Sequence, residues 1–384
     1  MLTNEIPYIR QGESDREDIH PELKTILEKG EQRIALSRSD IKWILNLTEP
    51  DTIQDLFKAA RRLREQHFGN RVFLYGFVYF STYCGNDCSF CLYRRSNAGA
   101  MRYRKSASQI IEASQRLAKS GVHLIDLTMG EDPEIFQAGD GGFSRLLQTV
   151  RSVKRNTNLP IMISAGVLPE AVLGKLVEAG VVWYACYQET HNRALYNKLR
   201  PGQGYDIRIS SKRRAKERGL LIEEGLLLGA GESTDDVVDS VFVMRQLRAD
   251  QVRVMGFVPQ KGTPMERFAR PAPAKELLSI ALMRLVFPEC LIPASLDVGG
   301  HAELGQKLAA GANVVTSLIP PGQGLAGVAQ CDLDIEDGKR TAEGIQGILR
   351  ESGLEPASCK EYHAWLTQRL ESSSTVFKID HRRS

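Results

Sequence analysis

The sequence predicts an α/β fold, a (βα)8 TIM barrel with a helical extension ahead of it. Three observations carry the prediction. From Arg71 onward, eight short runs rich in β-branched and aromatic residues alternate with eight amphipathic stretches, the pattern of a parallel sheet wrapped by helices. Eight is the number that closes a barrel. A cluster of three cysteines follows the first run directly, where a barrel's first βα loop would carry chemistry. A doubly wound open sheet is the alternative arrangement of the same elements.

Residues 1–70 read as helical, with Ser39 or Asp40 as an N-cap before the apolar residues Ile41, Trp43, Ile44 and Leu45. Residues 52–66 place apolar positions at helical spacing beside a basic flank. The strand candidates are 72–80, 122–129, 160–165, 181–187, 220–228, 251–258, 290–296 and 313–319. Helix candidates lie at 106–119, 142–155, 169–179, 206–217, 234–248, 274–286, 301–309 and 336–351. The pairs Ser120-Gly121, Ala179-Gly180 and Gly311-Ala312 mark helix ends. The expected organisation is a helical extension over 1–70, a barrel over 71–355 and a C-terminal segment over 356–384, with 371–384 as a loose tail.

At 384 residues, with 42% hydrophobic and 25% charged residues, the chain is an ordinary globular protein with ample material for a core. The net charge of +3 is spread along the sequence. Basic runs at 61–64 and 212–214 fall in helical contexts and read as solvated faces, so nucleic acid is not an expected partner. No run approaches the ~18 apolar residues of a membrane span, and the polar N-terminus lacks a secretory apolar core. Seven cysteines, three of them clustered, do not make a disulfide framework; a reducing cytoplasm is the expected compartment.

The run Tyr-Cys84-Gly-Asn-Asp-Cys88-Ser-Phe-Cys91 can turn back on itself and aim three sulfurs at one centre. Iron–sulfur cubanes take a thiolate on each iron, so three cysteines leave one iron open to another ligand. Structural zinc wants four Cys or His ligands. The next cysteine, Cys186, is far along the chain, and no His lies between Phe68 and Val122. An iron–sulfur cluster is therefore favoured over zinc or a disulfide.

Polar residues interrupt the apolar strands at Asp126, Arg253, Ser295 and Asp297. Ser295 and Asp297, two residues apart, share a face. An arginine inside a barrel must be paired. One reading is an internal network of Arg253 with Asp126 or Asp297. The other is a pocket for a small zwitterion, the guanidinium fork gripping a carboxylate and the Asp side chains taking ammonium groups, a charge pattern that suits a diamino acid such as lysine. Gly130-Glu131 closes the second strand, Glu189 the fourth, and Gly229 sits in a Gly-rich turn after the fifth, with none of the Lys-Ser/Thr of a phosphate loop. Arg208 lies in the helix after Glu189, and the two read equally as an exposed ion pair. Phe90 can stack on a flat ring or pack the loop. His123, His191 and His301 stand alone in sequence and read as structural or surface positions.

The Cys-x3-Cys-x2-Cys spacing, with an aromatic before the last Cys, resembles the radical S-adenosylmethionine superfamily. Gly130-Glu131 looks like its amine-binding motif, and Gly225-x-Leu227-x-Gly229-x-x-Glu232 like its fifth-strand motif. Segments 68–74, 126–133, 187–190 and 287–297 more closely resemble the methylornithine synthases of pyrrolysine biosynthesis, over roughly residues 35–355. Leu199-Arg200-Pro201 and the Glu189 and Arg208 positions are similar in hydrogenase maturases too. The chain differs from the synthases in the loop 94–100, in a longer N-terminus, and in Ala165 where a proline is expected.

The resemblance implies a barrel of the radical S-adenosylmethionine type with a [4Fe–4S] cluster on Cys84, Cys88 and Cys91, and S-adenosylmethionine on its open iron. Phe90, Gly130, Glu131, Glu189, Arg208 and Gly229 would surround that cofactor. Asp126, Arg253, Ser295 and Asp297 would hold L-lysine. The implied reaction converts L-lysine to (3R)-3-methyl-D-ornithine after a 5′-deoxyadenosyl radical removes hydrogen, through fragmentation and recombination of the carbon chain. A low-potential electron donor and a downstream ATP-dependent ligase are the implied partners.

Overall fold

The computed structural model describes residues 19–32, 34–321 and 340–380, with side chains to 373. Residues 1–18 and 381–384 of the expected N-terminal stretch and tail lie outside the described residues. Eight parallel strands form the barrel: β1 (Arg71–Ser81), β2 (Leu124–Met129), β3 (Ile161–Ser164), β4 (Val181–Ala185), β5 (Leu221–Leu228), β6 (Gln251–Gly256), β7 (Pro293–Ser295) and β8 (Val314–Leu318). Their order runs 6-5-4-3-2-1-8-7. Val252 N donates to Leu291 O at 3.0 Å and Leu291 N to Asp250 O at 3.1 Å, which joins β6 to the approach of β7 and closes the ring. Closure removes the open-sheet alternative.

All eight predicted strands occur; β1 runs one residue past its expected range at each end, and the other seven are shorter than expected. Side chains alternate along each strand, which sorts the core into two parts. Outward residues such as Ile125, Leu127, Ile163 and Val254 pack under the surrounding helices. Inward residues at the lower end, Phe73, Tyr75, Leu124, Met162, Trp183 and Val314, make an apolar plug with Tyr362 and Leu366. Those last two come from the helix Cys359–Asp380, whose Tyr362 hydroxyl meets that of Tyr75 at 3.0 Å. This helix runs through residues 371–380, where a loose tail is expected from sequence. An apolar seal at one end leaves the polar inward residues of the other end to form a cavity.

Other boundaries differ for local reasons. Of the helix expected over 336–351, residues 336–339 lie outside the described residues, and the described part is helical at Gln346–Glu351, preceded by a turn at 341–345. The second helix, Arg38–Leu45, is capped by Ser37 and not by Ser39 or Asp40. Asp40 is the return arm of a capping box, accepting from Ser37 N at 2.8 Å. The basic runs are not wholly solvated either: Arg64 is buried and donates to Leu308 O at 2.7 Å, and Lys212 is buried against Glu224. Helical periodicity alone cannot distinguish a cation facing water from one facing a carbonyl or carboxylate on a neighbouring element.

Candidate functional site

At the C-terminal ends of the strands a cavity of about 210 Å³ is lined by Cys84, Cys88, Cys91 and Phe90 together with Asp126, Gly130, Glu131, Glu189, Arg208, Arg253 and Asp297. Segments 84–91 and 126–131, and single residues far along the chain, thus reach one space. Ser295 and Gly229 are not among its lining residues. Ser295 is buried behind the wall, its hydroxyl accepting from Asp297 N at 3.2 Å, and Ser317 from β8 lines the cavity in its place. Gly229 forms the turn after β5 with φ of 83°, and its N–H donates to Glu232 Oε1 at 2.8 Å.

The cysteine loop is pinned on both sides. Gly85 N donates to Glu131 O at 2.9 Å, and Ser89 N to Leu199 O at 2.8 Å. Gly130 lies so close to the loop that a Cβ there would come 2.5 Å from Tyr83 O and 2.8 Å from Cys84 Cβ. Gly130→Ala should displace the loop, cost about 1–3 kcal/mol by overpacking, and lower the iron retained per chain after gel filtration. Full iron retention with an unchanged melting point would show that the loop yields freely.

The sulfurs suit an iron–sulfur cluster. All three cysteines are free, and Cys88 is buried. Among the described residues no three His, Cys, Asp or Glu side chains gather at the position of a single metal ion; a cubane instead seats each thiolate on its own iron. Asn86 N donates to Cys84 Sγ at 3.4 Å, and Arg200 Nη1 and Gln203 Nε2 donate to Cys88 Sγ at 3.3 and 3.1 Å. Donors converging on sulfur stabilise thiolate. Burial first, then repulsion from Cys88 and Cys84, pushes the Cys91 thiol up to about 12.

Beyond the cysteines lies a rim of charged groups. Glu131 Oε1 accepts from Val167 N at 2.9 Å and stands 3.6 Å from Arg208 Nη2. The Glu189–Arg208 pair read from sequence does not form. Glu189 binds Arg200 at 2.6 Å, and both are buried. Arg208 instead donates to Cys186 Sγ at 3.0 Å, Tyr187 O at 3.3 Å and Gln203 Oε1 at 2.8 Å. Cys186, distant in sequence, therefore borders the same cavity. Glu189 adopts φ of 68°, a left-handed conformation uncommon outside glycine, which lets it bridge to β5 while turning its carboxylate toward Arg200.

Deeper in the barrel, Arg253 is paired with neither Asp126 nor Asp297. Its Nε donates to Glu223 Oε1 at 2.6 Å and its Nη1 to Thr316 Oγ1 at 3.1 Å. Tyr187 OH donates to the other Glu223 oxygen at 2.9 Å. Burial opposes the charge of Arg253, but Glu223, Tyr187 and Asp126 together overcome it and raise the guanidinium pKa. Asp126 accepts from Thr128 Oγ1 at 2.9 Å. Burial, followed by repulsion from Glu223, pushes its carboxyl up to about 7. Asp297 is bound by Arg340 and by Ser317 Oγ, each at 2.6 Å; burial works against its ionisation, but Arg340, Ser317 and Arg253 together lower its pKa.

Sequence reading passes over Glu223, Gln203, Ser317 and Arg340, and it notes Arg200 only within the segment Leu199-Arg200-Pro201, with no role at the site. Glu223 offered one signal, being an acid inside an apolar strand like Asp126. The others stand in loops or at strand ends, where nothing distinguishes them before folding. His123 is structural as expected, its Nδ1 accepting from Leu74 N at 2.8 Å and its Nε2 meeting Ala357 O at 2.7 Å.

Comparison with known proteins agrees with this arrangement. The model of the Radical SAM superfamily matches residues 78–243. The 3-methylornithine synthase of Methanosarcina acetivorans is 44% identical over 339 residues, spanning 88% of this chain and 95% of that protein. The [FeFe] hydrogenase maturase subunit HydE of Thermotoga maritima is 29% identical, spanning 76% of this chain and 82% of that one. A crystal structure of methylornithine synthase (PylB) superposes with a TM-score of 0.84 at 41% identity, covering 88% of this chain and 99% of the other. The family implies a [4Fe–4S] cluster and S-adenosylmethionine as cofactors, and the cysteine loop fits the first of them. With three thiols at the mouth of a closed parallel barrel and this likeness along nearly its whole length, the chain belongs to the 3-methylornithine synthase family of radical S-adenosylmethionine enzymes.

Proposed function

We propose that this enzyme is an isomerase that converts L-lysine to (3R)-3-methyl-D-ornithine in pyrrolysine biosynthesis. The observation that carries the reading is one cavity with the three cysteines at its mouth and Arg253, Asp126 and Asp297 in its wall. When bound, the cluster and S-adenosylmethionine supply a 5′-deoxyadenosyl radical able to take hydrogen from an unactivated carbon. Cys84, Cys88 and Cys91 hold the cluster. Glu131, Glu189 and Arg208, which line the cavity, would hold the charged methionine portion of the cofactor, and Phe90 would offer its ring to the adenine.

The side chains deeper in the barrel position the substrate. Arg253 grips the lysine carboxylate, its orientation fixed by Glu223 and Thr316. Asp126 and Asp297 offer carboxylates to the ammonium groups, and Ser295 supports Asp297 through its backbone N–H. The closed wall keeps both halves of a broken carbon chain in place for recombination and excludes water. Electrons come from a low-potential donor, and an ATP-dependent ligase takes the product.

The direct test is anaerobic reconstitution with labelled lysine, S-adenosylmethionine and a reductant. Labelled methylornithine supports the proposal. Cofactor cleavage with only unchanged lysine recovered refutes it and favours a maturase-like reaction on another substrate.

Asp126 adds a pH signature. Facing Glu223, Asp297, Arg253 and Thr128, it is protonated in the empty site below about pH 7. Binding an ammonium group favours the ionised form, so a proton must leave as lysine enters at lower pH. The KM for lysine should rise as pH falls below 7, approaching about tenfold per unit. Asp126→Asn should raise KM and flatten that dependence. An identical slope in the variant would assign the ionisation elsewhere.

A further inference from the structure

Arg200 and Gln203 lie between the helices Arg193–Leu199 and Tyr205–Glu217. Both aim a donor at Cys88 Sγ, at 3.3 and 3.1 Å. The arginine is 9% exposed and fixed on two further sides. Its Nη2 donates to Glu189 Oε1 at 2.6 Å, and its guanidinium lies 5.2 Å over the Phe90 ring. Gln203 is held in turn, its Oε1 accepting from Arg208 at 2.8 Å. A buried cation is thus locked against one cluster-ligand sulfur and against a carboxylate of the cofactor rim.

Reduction adds negative charge to an iron–sulfur cluster and its sulfurs. Hydrogen bonds to sulfur and nearby net charge set the potential, and burial strengthens such interactions relative to water. A guanidinium donating to Cys88 favours the reduced state. The Glu189 carboxylate, sharing that guanidinium, opposes it.

We propose that Arg200, assisted by Gln203, is a positioning residue that raises the reduction potential of the cluster through the Cys88 sulfur, and that Glu189 limits the rise by sharing the same guanidinium. This rests on the reading of Cys84, Cys88 and Cys91 as cluster ligands. It makes Arg200 the physical link between the electron-accepting group and the cofactor pocket.

The test is a redox titration of the anaerobically reconstituted full chain, followed by electron paramagnetic resonance without S-adenosylmethionine, after iron and sulfide analysis. At the native midpoint, Arg200→Gln should lower the reduced-to-oxidised ratio about tenfold, a fall of about 59 mV for one electron. Arg200→Lys keeps the charge and should recover much of the shift. Glu189→Gln should move the midpoint upward. Opposite signs distinguish electrostatics from simple disordering of the loop.

Fully loaded Arg200→Gln and Glu189→Gln proteins with native midpoints, or with shifts of the same sign, would overturn the inference. If Arg200→Gln fails to retain its cluster, Gln203→Glu decides: a carboxylate beside Cys88 must lower the midpoint, and no change refutes the role. A native chain that binds no iron and sulfide would bring down the cluster reading itself, a failure visible before any titration.

Discussion

Arg253→Lys should lower kcat/KM for lysine about 100-fold or more, mainly through KM, while S-adenosylmethionine binding stays near native. The substitution keeps the positive charge but replaces a planar fork with a flexible point charge. The native guanidinium uses Nε on Glu223 and Nη1 on Thr316, which fixes its plane relative to the cavity. An ammonium group cannot meet both partners and a substrate carboxylate in that geometry. Losing a charge-assisted hydrogen bond of about 1.5–3 kcal/mol is worth one to two powers of ten, and misplacement of the reacting carbon adds to it. Steady-state kinetics with calorimetric cofactor binding checks the split. Native KM with lower kcat would mean Arg253 does not hold the carboxylate in the ground state.

Lys212→Met should destabilise the protein by about 3–5 kcal/mol, the cost of leaving one member of a buried ion pair without its partner. Lys212 and Glu224 are both 0% exposed, and Lys212 also donates to Gln188 Oε1 at 2.9 Å. Glu224 Oε1 accepts from the N–H groups of Gln188 and Gly225, both at 2.8 Å. The pair therefore anchors the backbone from which Glu189 turns into its left-handed conformation. Adding Glu224→Gln should restore part of the loss, because the amide oxygen keeps those two N–H bonds without an isolated charge. Urea unfolding of the single and double variants measures this. A single variant within about 1 kcal/mol of native would show that water or a rearrangement satisfies Glu224.

Glu223 and Glu224 show where sequence reading reaches its limit. Strand alternation sends neighbouring residues to opposite faces, so one of the two had to enter the barrel. Which partner each would meet depended on Arg253 from β6 and Lys212 from the helix Tyr205–Glu217. The same limit explains the Glu189–Arg208 expectation: two groups from one stretch of chain are near in sequence, yet Arg200 reaches Glu189 first and Arg208 is drawn to Cys186 and Gln203. Ser295 and Asp297 were correctly placed together near a strand end, but β7 is only three residues long, and the chain beyond it leaves strand geometry, so their shared face did not carry both to the cavity.

The eight strands, their helices and the cysteine loop after β1 were legible from the sequence alone, because alternation, helical period and ligand spacing are local properties of a chain. Asp126, Arg253 and Asp297 were legible as exceptions to apolar strands. Closure of the ring, the plug from Cys359–Asp380, and the pairings Arg253–Glu223, Glu189–Arg200 and Asp297–Arg340 were decided only in three dimensions. A buried charge takes the nearest well-oriented partner in space, and that distance is set by register and barrel closure, which no local pattern encodes.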